Sequence, residues 1–177
     1  MIFSYGGHWH KFCPSDMKDL VIRTFEENDH ISVKGILKVI GWADHYVVGQ
    51  LECFKKLLDD KEGEIFVASY LGIIVGFIQT VHHGWTRLSY VHGLVVHPDY
   101  RRLAIAKSLV ERVEISSESR GNQGLYVDTP VDNLGERKFY MSLGFRESYT
   151  MPEFYESGFD GVTFQKFFSG SMQGCIH

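Results

Sequence analysis

The residues with the clearest chemical potential lie between positions 93 and 109, GLVVHPDYRRLAIAKSL. An apolar, β-branched run leads into a turn at His97-Pro98-Asp99, and small residues then open an amphipathic segment. The first backbone N–H groups of a helix have no carbonyl ahead of them, and the helix dipole adds positive potential at the same end. Such a mouth suits an anion, a pyrophosphate in particular. Ala104 and Ala106 leave room for a ligand to approach the backbone closely. Arg101 and Arg102 add charge beside it. A second stretch, from Asn133 through Phe139-Tyr140 to Leu143-Gly144-Phe145, combines a helix-capping residue, an aromatic pair and a glycine stop.

Positioning these groups requires strands on either side of the first helix. Residues up to 60 read as helical. Ser15-Asp16 marks a start, and Met17, Leu20, Val21 and Phe25 recur at helical spacing. A second helix is expected over 33–42, with Val33, Ile36, Leu37 and Ile40 on one face. A third is expected over 50–58, with Leu51, Phe54, Leu57 and Leu58 together. β-Branched and aromatic residues dominate from Glu64 onward. Ile65, Val67 and the run 73–81 flank a turn at Tyr70-Leu71-Gly72, which predicts a hairpin. A turn over 82–86 leads to a third strand over 88–96. Ile105, Leu109, Val110 and Val113 then form one face of a helix that stops at Arg120-Gly121. A short strand follows over 125–128. Asn133 opens a further helix, with Glu136 placed as in a capping box. Gly161 and the run 162–168 suggest a last strand, and the tail from Ser169 reads as frayed. Three consecutive strands with short turns imply antiparallel pairing, and the strand–helix–strand from 88 to 128 implies one parallel crossover. The fold class is therefore mixed α/β, in a single domain over 1–168.

Composition agrees with a globular protein and excludes other classes. The chain has 177 residues, 44% apolar and 23% charged, which is not the profile of a disordered or fibrous chain. A formal net charge of -4 gives no support to a nucleic-acid partner, which needs a clustered basic footprint. Cys13, Cys53 and Cys175 are odd in number and form no CxxC pair. They read as reduced thiols of a cytoplasmic protein rather than a zinc ribbon or disulfide framework. The N-terminus lacks a signal-peptide pattern, and no window approaches the ~20 apolar residues of a membrane span. His8-Trp9-His10 and His82-His83 have no companion Cys or carboxylate at ligand spacing, so no metal is expected.

The stretch 93–109 resembles the acetyl-CoA signature of the GNAT superfamily of N-acetyltransferases, Val-x-Pro-x-x-Arg followed by Arg-x-x-Gly-x-Gly/Ala. Asn133, Phe139-Tyr140 and Leu143-Gly144-Phe145 resemble that family's second signature. Ile65-Phe66-Val67-Ala68 and Val75-Gly76-Phe77 resemble its preceding hairpin. The likeness is good from Glu64 to Phe145 and loose before that. It implies a central mixed, mostly antiparallel sheet of six to seven strands, with about four helices and splayed parallel strands at the centre. It also implies acetyl-CoA as cosubstrate. The pantetheine arm would pair with Leu94, Val95 and Val96, where a bulge would aim the N–H of Val95 or Val96 at the thioester oxygen. The backbone of Arg101, Arg102, Leu103, Ala104, Ile105, Ala106, Lys107 and Ser108 would hold the pyrophosphate, and Asn133 would contact the arm or open its helix. Tyr140 would be the general acid.

Two departures from the family pattern stand out. His92 occupies a position where members frequently carry Glu, and becomes the candidate base, with Asp128 competing. Ala104 replaces the first glycine, a change that helical dihedrals would tolerate. Trp42, His45, Tyr46 and Phe54, with Glu153, Phe154, Tyr155 and Glu156 as a second lip, are candidates for the acceptor pocket. The expected function is transfer of an acetyl group to a primary amine of a small molecule or peptide by direct attack. A non-catalytic acyl-CoA sensor, and an enzyme acting on a protein or aminoacyl-tRNA amine, are the alternatives. Sheet-edge or C-terminal strand pairing would allow a homodimer.

Overall fold

The computed structural model describes residues 18–60 and 62–169. The expectations placed on His8-Trp9-His10, Cys13, Ser15-Asp16, Met17 and Cys175 lie outside the described residues, as does most of the tail.

Leu20–Thr24 is a strand, β1, not part of a helix. Leu20 and Ile22 alternate with the exposed Val21, which is strand periodicity. The apparent helical spacing came from Phe25, which has left the strand and packs edge-on to Phe54. Helices α1 (His30–Val39) and α2 (Asp44–Asp60) follow, the latter starting six residues before the expected span. The hairpin forms as expected from β2 (Gly63–Tyr70) and β3 (Ile73–His83), with Leu71 and Gly72 turning at φ 50° and 81°. Strand β4 (Leu88–Val96), helix α3 (Ile105–Ser119), strand β5 (Gly124–Pro130) and helix α4 (Leu134–Ser142) complete the crossover and its sequel. Strands β6 (Arg146–Glu156) and β7 (Phe159–Phe167) end the described chain. The sequence allows one or two strands after α4 but locates only the last, and β6, which includes the proposed second lip, is the one left unplaced. Every one of its residues is exposed, so no apolar alternation marks it.

The seven strands lie in the order β1-β2-β3-β4-β5-β7-β6, antiparallel throughout except between β4 and β5. Two cores flank the sheet. On one face, Val33, Ile36, Leu37 and Phe54 pack on Ile65, Val67, Phe77 and Val95. On the other, Leu109, Val110, Val113 and Tyr140 pack on Phe66, Ile78, Val91, Leu125 and Phe164. Strands β2 and β3, buried on both faces, read as continuous apolar runs for this reason.

A polar cluster ties α3 to the sheet at the far end from its mouth. Glu64 on β2 accepts from Ser116 at Oε2 and from Arg120 Nη2 at Oε1, the latter at 2.7 Å, and Oε2 also lies 3.5 Å from His82 Nε2. Burial alone would raise the pKa of Glu64, but hydrogen bonds from His82, Ser116 and Arg120 overturn that and hold it at about 2.

Candidate active site

The parallel ladder between β4 and β5 is short. It runs from Leu88 opposite Gly124 to Val91 opposite Val127 and stops. Beyond it the two strands part, and β4 keeps only β3 as a partner. An irregularity at this point leaves His92 as an extra residue, because Gln79 pairs with Gly93 while Thr80 pairs with Val91. The bulge thus lies before the expected Leu94–Val96 segment. From there the ladder is regular, and the His97 amide donates to the Val75 carbonyl at 2.8 Å. Antiparallel alternation then turns the backbone groups of Val95 toward β3 and those of Leu94 and Val96 toward the gap. The position of Arg101 agrees, since its Nε donates to the Val96 carbonyl at 3.2 Å. Its side chain is anchored at the strand end.

The mouth of α3 is built by backbone twist. Arg102 and Ala104 both have left-handed dihedrals, with φ 63° and 57°. The sequence reading of Ala104 as an ordinary helical position is therefore corrected. A Cβ in this region costs about 1 kcal/mol or more, which supplies a conformational reason for glycine in the family pattern. Alternating left-handed residues make a concave run of amides. The first helical amide to find a carbonyl is Ser108, which donates to Ala104 at 3.0 Å. Those of Ile105, Ala106 and Lys107 have no preceding turn to bond.

Asn133 caps α4, its side-chain oxygen accepting from the Glu136 amide at 3.2 Å. The reciprocal half of the expected capping box is absent, because the Glu136 carboxylate accepts from Thr129 instead. Tyr140 is 4% exposed, with its ring against Phe145 and Phe164. Burial above all, and then the charges of Glu136, Tyr155 and Tyr90, push its phenol pKa up, so it stays protonated.

The opposite face of the same gap carries a second group of side chains. Tyr90 and His92 alternate on β4, and Tyr126 and Asp128 on β5. The Tyr90 ring stacks on Tyr126 at 4.7 Å and meets His92 at 5.6 Å. Asp128 accepts from Thr163, and its charge acts on the neighbouring Tyr90 phenol. Burial, and then Asp128, raise the pKa values of Tyr90 and Tyr126. His92 reaches solvent along one edge, yet burial of its ring lowers its pKa and favours the neutral imidazole. Its Nε2 lies 4.0 Å from Cys53 Sγ, which accepts from buried Gln79 at 2.9 Å, and Gln79 in turn accepts from Gln50. This chain explains Gly93, because a Cβ there would sit 2.9 Å from Gln50 Nε2.

Of the expected acceptor-pocket residues, Phe54 is core, packed on Phe25 and Phe77. Trp42, His45 and Tyr46 form an exposed aromatic group at the start of α2. The Tyr46 hydroxyl donates to Glu156 at 2.7 Å, joining α2 to the far end of β6. Sequence reasoning missed the linked roles of Tyr90, Tyr126, Gln50 and Gln79. The alternation Tyr90-x-His92 and Tyr126-x-Asp128 on two neighbouring strands was the available signal for the first pair. Among the described residues no group of three His, Cys, Asp or Glu side chains could hold a metal ion, and no helix is long and apolar enough to cross a membrane.

N-alpha-acetyltransferase 30 of Schizosaccharomyces pombe is 31% identical over 86 residues, 49% of this chain and 57% of that protein. Aminoglycoside N(6')-acetyltransferase type 1 of Salmonella typhimurium is 24% identical over 122 residues, 65% of this chain and 83% of that one. Among solved structures, the ribosomal-protein-S18-alanine N-acetyltransferase of Escherichia coli superposes with a TM-score of 0.71 at 19% identity, covering 89% of this chain and 99% of the other. An aminoglycoside 6'-N-acetyltransferase complexed with coenzyme A gives a TM-score of 0.69 at 19% identity, over 83% and 96% of the two chains. The acetyltransferase (GNAT) family model matches residues 36–145, which takes in the gap between β4 and β5, the mouth of α3 and the whole of α4. The chain belongs to the GNAT acetyltransferase family.

Proposed function

We propose that this protein transfers the acetyl group of acetyl-CoA directly to a primary amine. The observation that carries the proposal is the wedge: an open strand edge at Leu94 and Val96, continuous with the unpaired amides that open α3. The edge offers a donor and acceptor row to the amide groups of a pantetheine arm, as an added strand would use it. The amide mouth within the Arg101–Ser108 turn, where the amides of Ile105, Ala106 and Lys107 have no preceding turn to bond, suits the pyrophosphate. The coenzyme A complex of a structurally similar protein supports this choice of cosubstrate.

The reaction divides between the two sides of the gap. The amine nitrogen attacks the thioester carbon, the C–S bond breaks, and the nitrogen proton leaves. The Val96 or Leu94 amide stabilises the charge developing on oxygen, a contribution of about 3 kcal/mol in comparable sites. Tyr140, held protonated, donates to the departing sulfur. His92, held neutral, takes the proton that the acceptor ammonium loses before attack, and the proton that nitrogen sheds after attack replaces the one Tyr140 gives to sulfur. Asp128, tied to Thr163 and close to Tyr90, faces the same space and attracts the acceptor as an ammonium before it loses that first proton. Thiol release from acetyl-CoA with a panel of amines tests the reading. Amine-dependent release supports it, whereas tight acetyl-CoA binding without release to any amine would favour an acyl-CoA sensor.

A further inference from the structure

A cavity of about 340 Å³ opens on the sheet face that carries Tyr90, His92 and Asp128. Leu88, Tyr126 and Tyr149 line it, with Trp85 at the rim and His83, Thr86 and Gln165 as the polar groups. His83 closes one end and stacks on Tyr126 at 6.0 Å. Two independent routes place it beside Asp128. Along β5, Tyr126 is two residues away on the same face, about 7 Å of strand. Across the sheet, Asp128 pairs with Thr163 and Thr163 with Tyr149. The volume lies in the range of small-ligand pockets. Its chemistry differs from that of the Asp128 corner, because no carboxylate, Lys or Arg lines it. A second ammonium or a phosphate would find no counter-charge there, whereas a flat neutral ring would meet aromatic and aliphatic walls. Trp85, on the β3–β4 turn, is 93% exposed, a large apolar surface left uncovered at the cavity's rim.

We infer that this cavity is an acceptor subsite for an aromatic ring, so that the preferred acceptor is an arylalkylamine with its nitrogen at Asp128 and its ring between Tyr126 and Tyr149. The inference rests on the proposed amine transfer and names its substrate class. It sets this chain apart from polyamine and amino-sugar acceptors, whose several charges the walls do not match.

The test uses the full chain and three probe amines: 2-phenylethylamine, butylamine and spermidine. Calorimetry in the presence of coenzyme A should show 2-phenylethylamine binding about tenfold more tightly than butylamine, the scale of one aromatic packing contact. Tyr149→Ala should remove most of that difference, and Trp85→Ala, at the rim, a smaller part of it. In turnover they should raise KM for 2-phenylethylamine with kcat within about twofold. Equal binding of all three amines, or preference for spermidine, overturns the subsite, as does a loss of kcat shared by every amine. The two readings fail separately. Ring-selective binding without thiol release keeps the subsite and removes the transfer, whereas thiol release without ring selectivity does the opposite.

Discussion

The two sides of the β4–β5 gap are made of different material. The side that opens onto α3 is backbone: the edge of Leu94 and Val96, the left-handed turn at Arg102 and Ala104, and the amides of the first helical turn. The opposite face is side chain: Tyr90, His92, Tyr126, Asp128, Tyr149 and Thr163, contributed by four strands. A backbone site is specified by local dihedrals and by where a ladder stops, and it tolerates many sequences. A side-chain site is specified by cross-strand register, and one substitution changes what it accepts. The first therefore suits a constant cosubstrate and the second a chosen acceptor.

Substitutions can break this contrast. Tyr140→Phe bridges the two sides, since its ring is packed with the α3 core and its hydroxyl senses Tyr90 and Tyr155. It should lower kcat by about 100-fold, the lower end for a lost proton donor, while the acetyl-CoA dissociation constant holds. A matching loss of acetyl-CoA affinity would make it a packing residue. His92→Ala should reduce kcat about tenfold or more and abolish the acid limb of the pH–rate profile. Because burial lowers the His92 pKa, the active neutral form persists below the usual histidine range, so that limb lies on the acid side of pH 6.5. A variant that keeps the wild-type limb passes the role to Asp128.

Two smaller effects concern the α3 side alone. Glu64→Gln should cost about 2 kcal/mol at neutral pH, a figure reduced from the full linkage value because solvent reaches Arg120. The Glu64 carboxyl is depressed in the folded state. Its contribution is complete above the unfolded value near 4.5 and fades as pH falls toward 2. Thermal melts of the wild type should converge on those of the variant over that window, and parallel curves would remove the ion cluster from the account. Ala104→Gly should stabilise the fold by about 1 kcal/mol by relieving the left-handed Cβ, and bind acetyl-CoA at least as tightly. A lower melting temperature would mean that the methyl group packs usefully.

The same contrast explains what the sequence revealed. The hairpin, the α3 and α4 faces and the stop at Gly121 were legible because each follows from local periodicity or a positive φ. β1 was misread because Phe25, one residue past the strand, completed a false helical spacing. β6 was left unplaced because an edge strand exposed along its whole length, with Pro152 and a left-handed Glu153, carries no apolar alternation. On the acceptor side, Asp128 and His92 were each visible as chemistry-bearing residues. Their link through Tyr90 depends on the four-residue parallel register of β4 and β5, a non-local fact that no short window contains. The conformation of Ala104 was likewise hidden, since alanine gives no warning of a positive φ.

The central claim is that the open edge of β4 and the mouth of α3 form one continuous cosubstrate site. Amide chemical-shift mapping during an acetyl-CoA titration tests it most directly. The account expects saturable shifts at Leu94, Val96 and the amides from Leu103 to Ser108, with β1 unmoved. Saturation without shifts at those amides, or no saturable response up to millimolar acetyl-CoA, would contradict it.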